Sequence, residues 1–278
     1  MLAYRHGYHA GNHADVLKHA VFVHILDHLA RKGPFAIIDT HAGPGAYDLS
    51  DTQGQKLREY ETGIARILQA SSPPPLISRY LETVTQFRNA HGRDFYPGTA
   101  ALALMLRRRD DRLVLHELHP TDFERLNAFV RGHRHTSVNK ADGFKGALAH
   151  VPPKERRGVV VMDPSYELKT DYDRAIDTVR HAHRKFGTGV FVLWYPVVRR
   201  QWVIEMDRAL ETSGLRKIWR GELSVVPDTE EHGMTGSGIY VVNPPYTLPE
   251  VAEAALPWLA RALSPSEGAF NNGWLVPE

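Results

Sequence analysis

Short apolar runs recur along the chain with helical stretches between them, and that alternation admits few folds. Phe35-Ala36-Ile37-Ile38-Asp39 is the first run, and Leu113 to His116, Gly158 to Met162, Gly189 to Trp194 and Ile239 to Val242 repeat its character. A weaker strand region covers Thr136 to Lys140. Each run is too short for a helix and too uniformly apolar for a half-exposed strand, so it reads as a strand covered on both faces. Helical spacing fills the intervals, from the first helix at Asn12 to Arg31, closed by Gly33-Pro34, to Ala100–Arg107, Phe123–Arg131, Tyr172–Lys185 and Gln201–Glu211. The expected fold is α/β, with a mostly parallel, Rossmann-like sheet and helices on both faces.

One interval is too long for this pattern. An acidic residue ending the second strand is expected about 20 residues past a glycine loop, but Glu117 lies seventy-two residues past Gly45. The surplus predicts a small helical insertion over residues 46–96, with helices at Arg58–Gln69 and Leu76–Asn89, inside a domain made of residues 1–45 and 97–278.

Composition limits the chemistry. With 278 residues and 42% hydrophobic content the chain can bury one large core. Cysteine is absent, which excludes disulfides, thiolate nucleophiles and cysteine-ligated zinc. His9 and His13 stand four apart without an H-E-x-x-H pattern, so no metal site is expected. No signal segment or membrane-length apolar stretch is present, and a cytoplasmic protein is expected. Lys and Arg number 34 against 32 Asp and Glu, a balance that by itself points to no polyanionic partner.

Three constellations carry chemistry. In Asp39-Thr40-His41-Ala42-Gly43-Pro44-Gly45, Asp39 ends the first strand, and Gly43 and Gly45 let the backbone approach a ligand. The third glycine of a dinucleotide fingerprint is replaced by Asp48, which weakens a nicotinamide-dependent oxidoreductase reading and favours a cofactor without a pyrophosphate. Glu117, after Leu113 to His116, is placed to accept hydrogen bonds from a ribose diol, and Asp142-Gly143 follows the third strand where an adenine edge would lie. Asp163-Pro164-Ser165-Tyr166 follows the fourth strand directly. There a carboxylate and the Pro164 carbonyl can accept the two hydrogens of an exocyclic amine while Tyr166 stacks on its ring.

Asn243-Pro244-Pro245-Tyr246 matches such a tetrad more closely letter for letter, but it follows the run counted last, Ile239 to Val242, and is assigned a turn. The N-terminal stretch Tyr4 to His19 is dense in polar rings; Tyr4 and His6 are expected to close over a bound base, and Lys18 and His19 to meet a cofactor carboxylate. Basic clusters at Arg107–Arg109, Lys154 with Arg156–Arg157, Arg184–Lys185 and Arg199–Arg200 would form a phosphate track if they shared the face carrying Asp163.

These residues resemble the RlmJ-type 23S ribosomal RNA adenine-N6 methyltransferases over nearly the whole chain. The resemblance rests on Tyr4 to His19, Asp39 to Gly45, Tyr96 to Gly98, Glu117 to Pro120, Ala141 to Phe144, the Asp163 tetrad, Leu193 to Val198 and Asn243 to Pro245. It implies a class I methyltransferase fold using S-adenosylmethionine, with cofactor contacts at Lys18, His19, His41, Thr99, Glu117, Asp142, Gly143 and Asp163. It further implies direct in-line transfer to a flipped-out adenine of protein-free or early-assembly 23S ribosomal RNA. Asp163, Pro164 and Tyr166 would be the catalytic groups, in a monomer with no metal and no membrane contact. Thr99 replaces the family's serine, and Ser165 its second proline. An adenine methyltransferase acting on DNA and a catalytically silent RNA-binding protein are the competing readings.

Overall fold

The computed structural model describes residues 5–229 and 233–278. Helix α1 (His13–Ala30) starts at Asn12, whose side chain accepts hydrogen bonds from the amides of Ala14 and Asp15 and so satisfies two donors of the first turn. It leads into β1 (Ala36–Asp39). Residues 46–96 then run from β2 (Ala46–Asp48) through α2 (Gly54–Leu57), α3 (Ile64–Gln69) and α4 (Pro75–His91) to β3 (Phe95–Pro97). Antiparallel pairing of β2 with β3 brings the two ends of that segment together, while Ile64, Ile77 and Tyr80 enter the core shared with α1.

The remainder alternates as α5 (Thr99–Leu106), β4 (Arg112–His116), α6 (Pro120–Phe129), β5 (Thr136–Asn139), α7 (Gly143–His150), β6 (Gly158–Met162), α8 (Thr170–Lys185), β7 (Val190–Val197) and α9 (Arg200–Glu211). It closes with β8 (Ile218–Ser224), β9 (Gly236–Val242), α10 (Leu248–Leu263) and β10 (Ala269–Val276). The main sheet has the order β10-β8-β9-β7-β6-β1-β4-β5. Strands β5, β4, β1, β6 and β7 are parallel, and β9 runs antiparallel to both β7 and β8. Chain order thus moves outward from β1 through β4 and β5, then returns to β6 on the other side, which opens a crevice at the carboxyl ends of β1 and β6.

The uniform apolarity of β6 has a direct cause. Val159 and Val161 join the core on the α1 and α10 side, whereas Val160 and Met162 join the core under α7, α8 and α9. Each such buried side chain contributes about 1.5–3 kcal/mol of transfer free energy.

Besides the short β2 and β3, two strands of the main sheet escape the apolar-run pattern. β8 alternates Trp219, Gly221 and Leu223 with the charged Arg220 and Glu222, and β10 is an exposed edge strand opening Ala269-Phe270-Asn271-Asn272. The run ending at Val242 is therefore not the last strand, and it runs antiparallel to its neighbours. No helix among the described residues is long and apolar enough to cross a membrane.

Candidate active site

Because β1, β4, β5 and β6 are parallel, Asp39, Glu117, Asp142 and Asp163 arrive at one edge of the sheet, around a cavity of ≈ 190 Å³. Lys18, His41, Gly43, Thr99, Glu117, Asp142, Gly143, Asp163 and Pro164 line it, together with His6 and His19. Tyr4 lies outside the described residues.

The glycine loop turns as its sequence requires. Gly43 and Gly45 adopt φ of +59° and +92°, values that residues with a Cβ rarely take. Gly43 lines the cavity, but Gly45 packs away from it, since a Cβ there would meet the Phe129 ring at 2.7 Å. Asp39 is also set behind the wall. It is 1% exposed, accepting hydrogen bonds from the His41 amide and the Thr99 hydroxyl, and burial pushes its carboxyl up to about 6. Neither Asp39 nor Gly45 lines the cavity; both support the loop that does.

Glu117 fastens two loops at once. Its Oε2 accepts from the Gly43 amide at 2.9 Å and its Oε1 from the His119 amide at 2.7 Å, which leaves each oxygen one further lone pair for a ligand hydroxyl. Burial raises its carboxyl above the usual range. Asp142 caps α7 through Oδ1, and its Oδ2 accepts from Arg174 at 2.8 Å. Despite partial burial, the Lys145 amide and the Arg174 guanidinium hold it below the ordinary carboxylate range. Next to it, a Cβ on Gly143 would stand 1.8 Å from the Thr40 carbonyl, so only glycine lets α7 start against the β1 loop.

Lys18 binds the two halves of the site. Its Nζ donates to Asp163 Oδ2 at 2.5 Å and forms an ion pair with Asp15 Oδ1 at 2.8 Å. Burial opposes the charge, yet the two carboxylates hold the ammonium above its ordinary range. Asp15, fully buried, also accepts from the Gly11 amide and from His6 Nε2, each at 2.9 Å. It titrates well below the usual range because His6 and Lys18 outweigh burial. The spacing Asp15-x-x-Lys18-His19 on one helix face was the available signal for Asp15, which motif reading passed over. Among the described residues Asp163 Oδ1 accepts no hydrogen bond, and it remains open to an incoming donor.

His19 and His41 are buried neutral rings. His19 shares a 2.8 Å hydrogen bond with Tyr96 and is pushed down to about 3 by burial, while burial pushes His41 down to about 4. Neither carries a charge for a ligand carboxylate at neutral pH.

Tyr166 is placed differently from the expected stacking wall. It is 8% exposed, its hydroxyl donates to the Trp194 carbonyl at 2.6 Å, and its ring packs on Tyr172 at 4.4 Å. Pro164 and Ser165 reach the cavity and the Tyr166 ring does not line it. The competing Asn243 tetrad ends the antiparallel β9, at the opposite edge of the sheet from Asp163. Its Asn243 adopts φ +54° and donates to the Gly187 and Gly189 carbonyls, each at 2.9 Å, in the expected turn role.

Residues 32–276 match the family model described as "RsmJ: Ribosomal RNA large subunit methyltransferase D, RlmJ". The chain belongs to the RlmJ family. It is 43% identical over the full length of both chains to ribosomal RNA large subunit methyltransferase J of Escherichia coli, and 42% identical, again over both full lengths, to that of Haemophilus influenzae. A crystal structure of a Legionella pneumophila protein superposes with a TM-score of 0.87 at 35% identity, covering 96% of this chain and 98% of that one. The family's fold is accordingly the Rossmann-like α/β sheet described above. Among the described residues no cluster of histidine and acidic side chains is arranged to hold a metal ion.

Proposed function

We propose that this protein transfers the methyl group of S-adenosylmethionine to the N6 amine of an adenine in 23S ribosomal RNA. The observation carrying the reading is Asp163 at the end of β6, fixed through one oxygen by Lys18 and open at the other, in the cavity that also holds Glu117 and Asp142. Full-length identity to two ribosomal RNA large subunit methyltransferases supports the substrate class.

The cavity suits the cofactor. Glu117 would offer a lone pair on each oxygen to ribose hydroxyls, Gly43 and Gly143 leave the backbone open along the wall, and Asp142 would offer an acceptor to an adenine edge. S-adenosylmethionine, when bound, supplies an electrophilic methyl group. The chain's own part is to hold the acceptor. Asp163 Oδ1 and the Pro164 carbonyl accept the two hydrogens of the amine, which fixes its plane and orients its nitrogen. Lys18 keeps Asp163 from turning away, and Asp15 keeps Lys18 charged inside the protein. The adenine must leave its stack to enter, at a cost of a few kcal/mol that is least in irregular or single-stranded RNA. Residues 46–96 form an insertion that helps hold RNA, and Tyr166, packed on Tyr172 and bonded to the Trp194 carbonyl, braces the turn that follows Pro164.

The test is methyl transfer to protein-free 23S RNA followed by mapping of the product. N6-methyladenine at one position supports the reading; methylation of another atom, or of other macromolecules instead, rejects it.

A further inference from the structure

The basic clusters do not gather where the cavity opens. Segments 31–34, 107–111, 131–135, 154–157, 184–188 and 216–217 enter β1, β4, β5, β6, β7 and β8, so they lie along the opposite edge of the sheet, roughly 17 Å away along β6. They carry fourteen Lys and Arg against three acids, a net charge of +11 in a chain whose total is +2. The loops at the cavity edge, 40–45, 117–119, 140–142, 163–169 and 198–199, carry three cations and four acids. Of the clusters expected to form a phosphate track beside Asp163, only Arg199–Arg200 lies on that side; a loop entering a parallel strand cannot share an edge with a loop leaving it.

Part of this charge is structural. Arg107, Arg108 and Arg157 donate to the carbonyls of neighbouring loops, among them Arg134, Ala30 and Leu29, and knit the edge into one surface. Arg184 complements the carboxyl end of α8. Arg109 and Lys154 stand in exposed loops beyond any helix turn, and among the described residues Arg109, Arg131, Lys154 and Arg184 make no ion pair or side-chain hydrogen bond. Beside them is the tetrad that the catalytic reading left over. Tyr246 is 79% exposed, and its ring meets His28, in the last turn of α1, edge-on at 5.8 Å.

We propose that this edge is a second RNA-binding surface, on which the cations neutralise phosphates of a segment remote from the target adenine and Tyr246 stacks on an unpaired base of it. The proposal rests on the RNA substrate reading above. A row of unpaired cations with an exposed aromatic ring is the chemistry of single-strand recognition, in which phosphate contacts give affinity and base stacking is tolerant of sequence. Such a surface lets a large RNA be gripped while only a small part of it enters the cavity.

The test uses the full chain carrying four substitutions, Arg109→Gln, Arg131→Gln, Lys154→Gln and Arg184→Gln, and separately Tyr246→Ala. Binding to 23S RNA is measured against salt, and methylation is followed on 23S RNA and on a short stem-loop confined to the target adenine. The fourfold variant is expected to lower the slope of log K against log salt by about 3, raise KM for 23S RNA at least tenfold, and leave kcat and the stem-loop reaction unchanged. Tyr246→Ala is expected to weaken 23S RNA binding about tenfold with the slope intact. An unchanged slope and KM, or equal loss on the stem-loop, overturns the proposal. A wild-type protein that binds RNA with the full slope but methylates none overturns the substrate reading and leaves this surface standing.

Discussion

Lys18 and Asp163 are 145 residues apart in the chain, and their side chains meet at 2.5 Å. This contact ties α1 to the end of β6 across the mouth of the sheet. It does so next to Asp15, so that one ammonium serves two carboxylates inside the protein.

Removing the cation should therefore cost both fold and turnover. Lys18→Met leaves Asp15, which has no exposed surface, without its charged partner. Breaking a buried pair from one side costs about 3–5 kcal/mol. Urea denaturation should show a loss of that order, with reduced methyl transfer in the fraction still folded; an unchanged midpoint would show that the pair does not hold α1 to the sheet.

The two tetrads should separate cleanly. Asp163→Ala is expected to abolish turnover while the protein still folds, since Asp163 is 15% exposed at its side chain and Asp15 remains to Lys18. Asn243→Ala should leave methyl transfer intact and reduce stability by about 1–2 kcal/mol, because alanine tolerates its left-handed conformation poorly and two hydrogen bonds are lost. Comparable activity loss in both variants, with both folded, would contradict the assignment.

Cofactor binding should depend on Glu117. Glu117→Ala is expected to weaken S-adenosylmethionine by about 1–3 kcal/mol in calorimetry, partly through ribose contacts and partly by releasing the Gly43 and His119 amides. Preferential binding of NADH would point to different chemistry.

Stability should fall in acid before the surface carboxylates titrate. His19, His41 and His13 have ordinary values of 6.5 but are pushed down by burial to about 3, 4 and 4, so below pH 6.5 the unfolded chain takes up protons that the fold refuses. By linkage, their stabilisation is full above 6.5 and is lost as pH falls towards those lower values. Asp39, raised from 3.8 to about 6, acts in the opposite sense between those values, as do Glu117 and Asp207, raised by burial, but the buried histidines, with His24 and His116 lowered as well, outnumber them. Thermal denaturation should give a lower Tm at pH 5 than at pH 7, and a smaller difference in His41→Asn.

Much of the site was legible because it stands at strand ends. Asp39, Glu117 and Asp163 each follow an apolar run directly, and parallel strands bring such positions together without further information. The charge balance of the opposite edge was equally open to reading, since each basic cluster there precedes a strand. Other features depend on contacts that no run of residues records. Tyr166 is held at φ +51° among Tyr172 and Trp194, so its orientation is a product of packing between β7 and α8. Asp15 looks like a solvated helix-start acid until Lys18 and His6 close around it. β10 is interrupted by Asn271-Asn272-Gly273, which breaks the apolar run and reads as a turn, and as a largely exposed edge strand it need not be apolar throughout.

The most direct measurement of the central claim is methyl transfer from labelled S-adenosylmethionine, at one salt concentration, to naked 23S RNA, intact large subunits, duplex DNA and a glutamine-containing peptide. The account predicts N6-methyladenine in the naked RNA, absent with Asp163→Ala and present with Asn243→Ala. Label appearing mainly in DNA or peptide would contradict it, even with every cofactor contact intact.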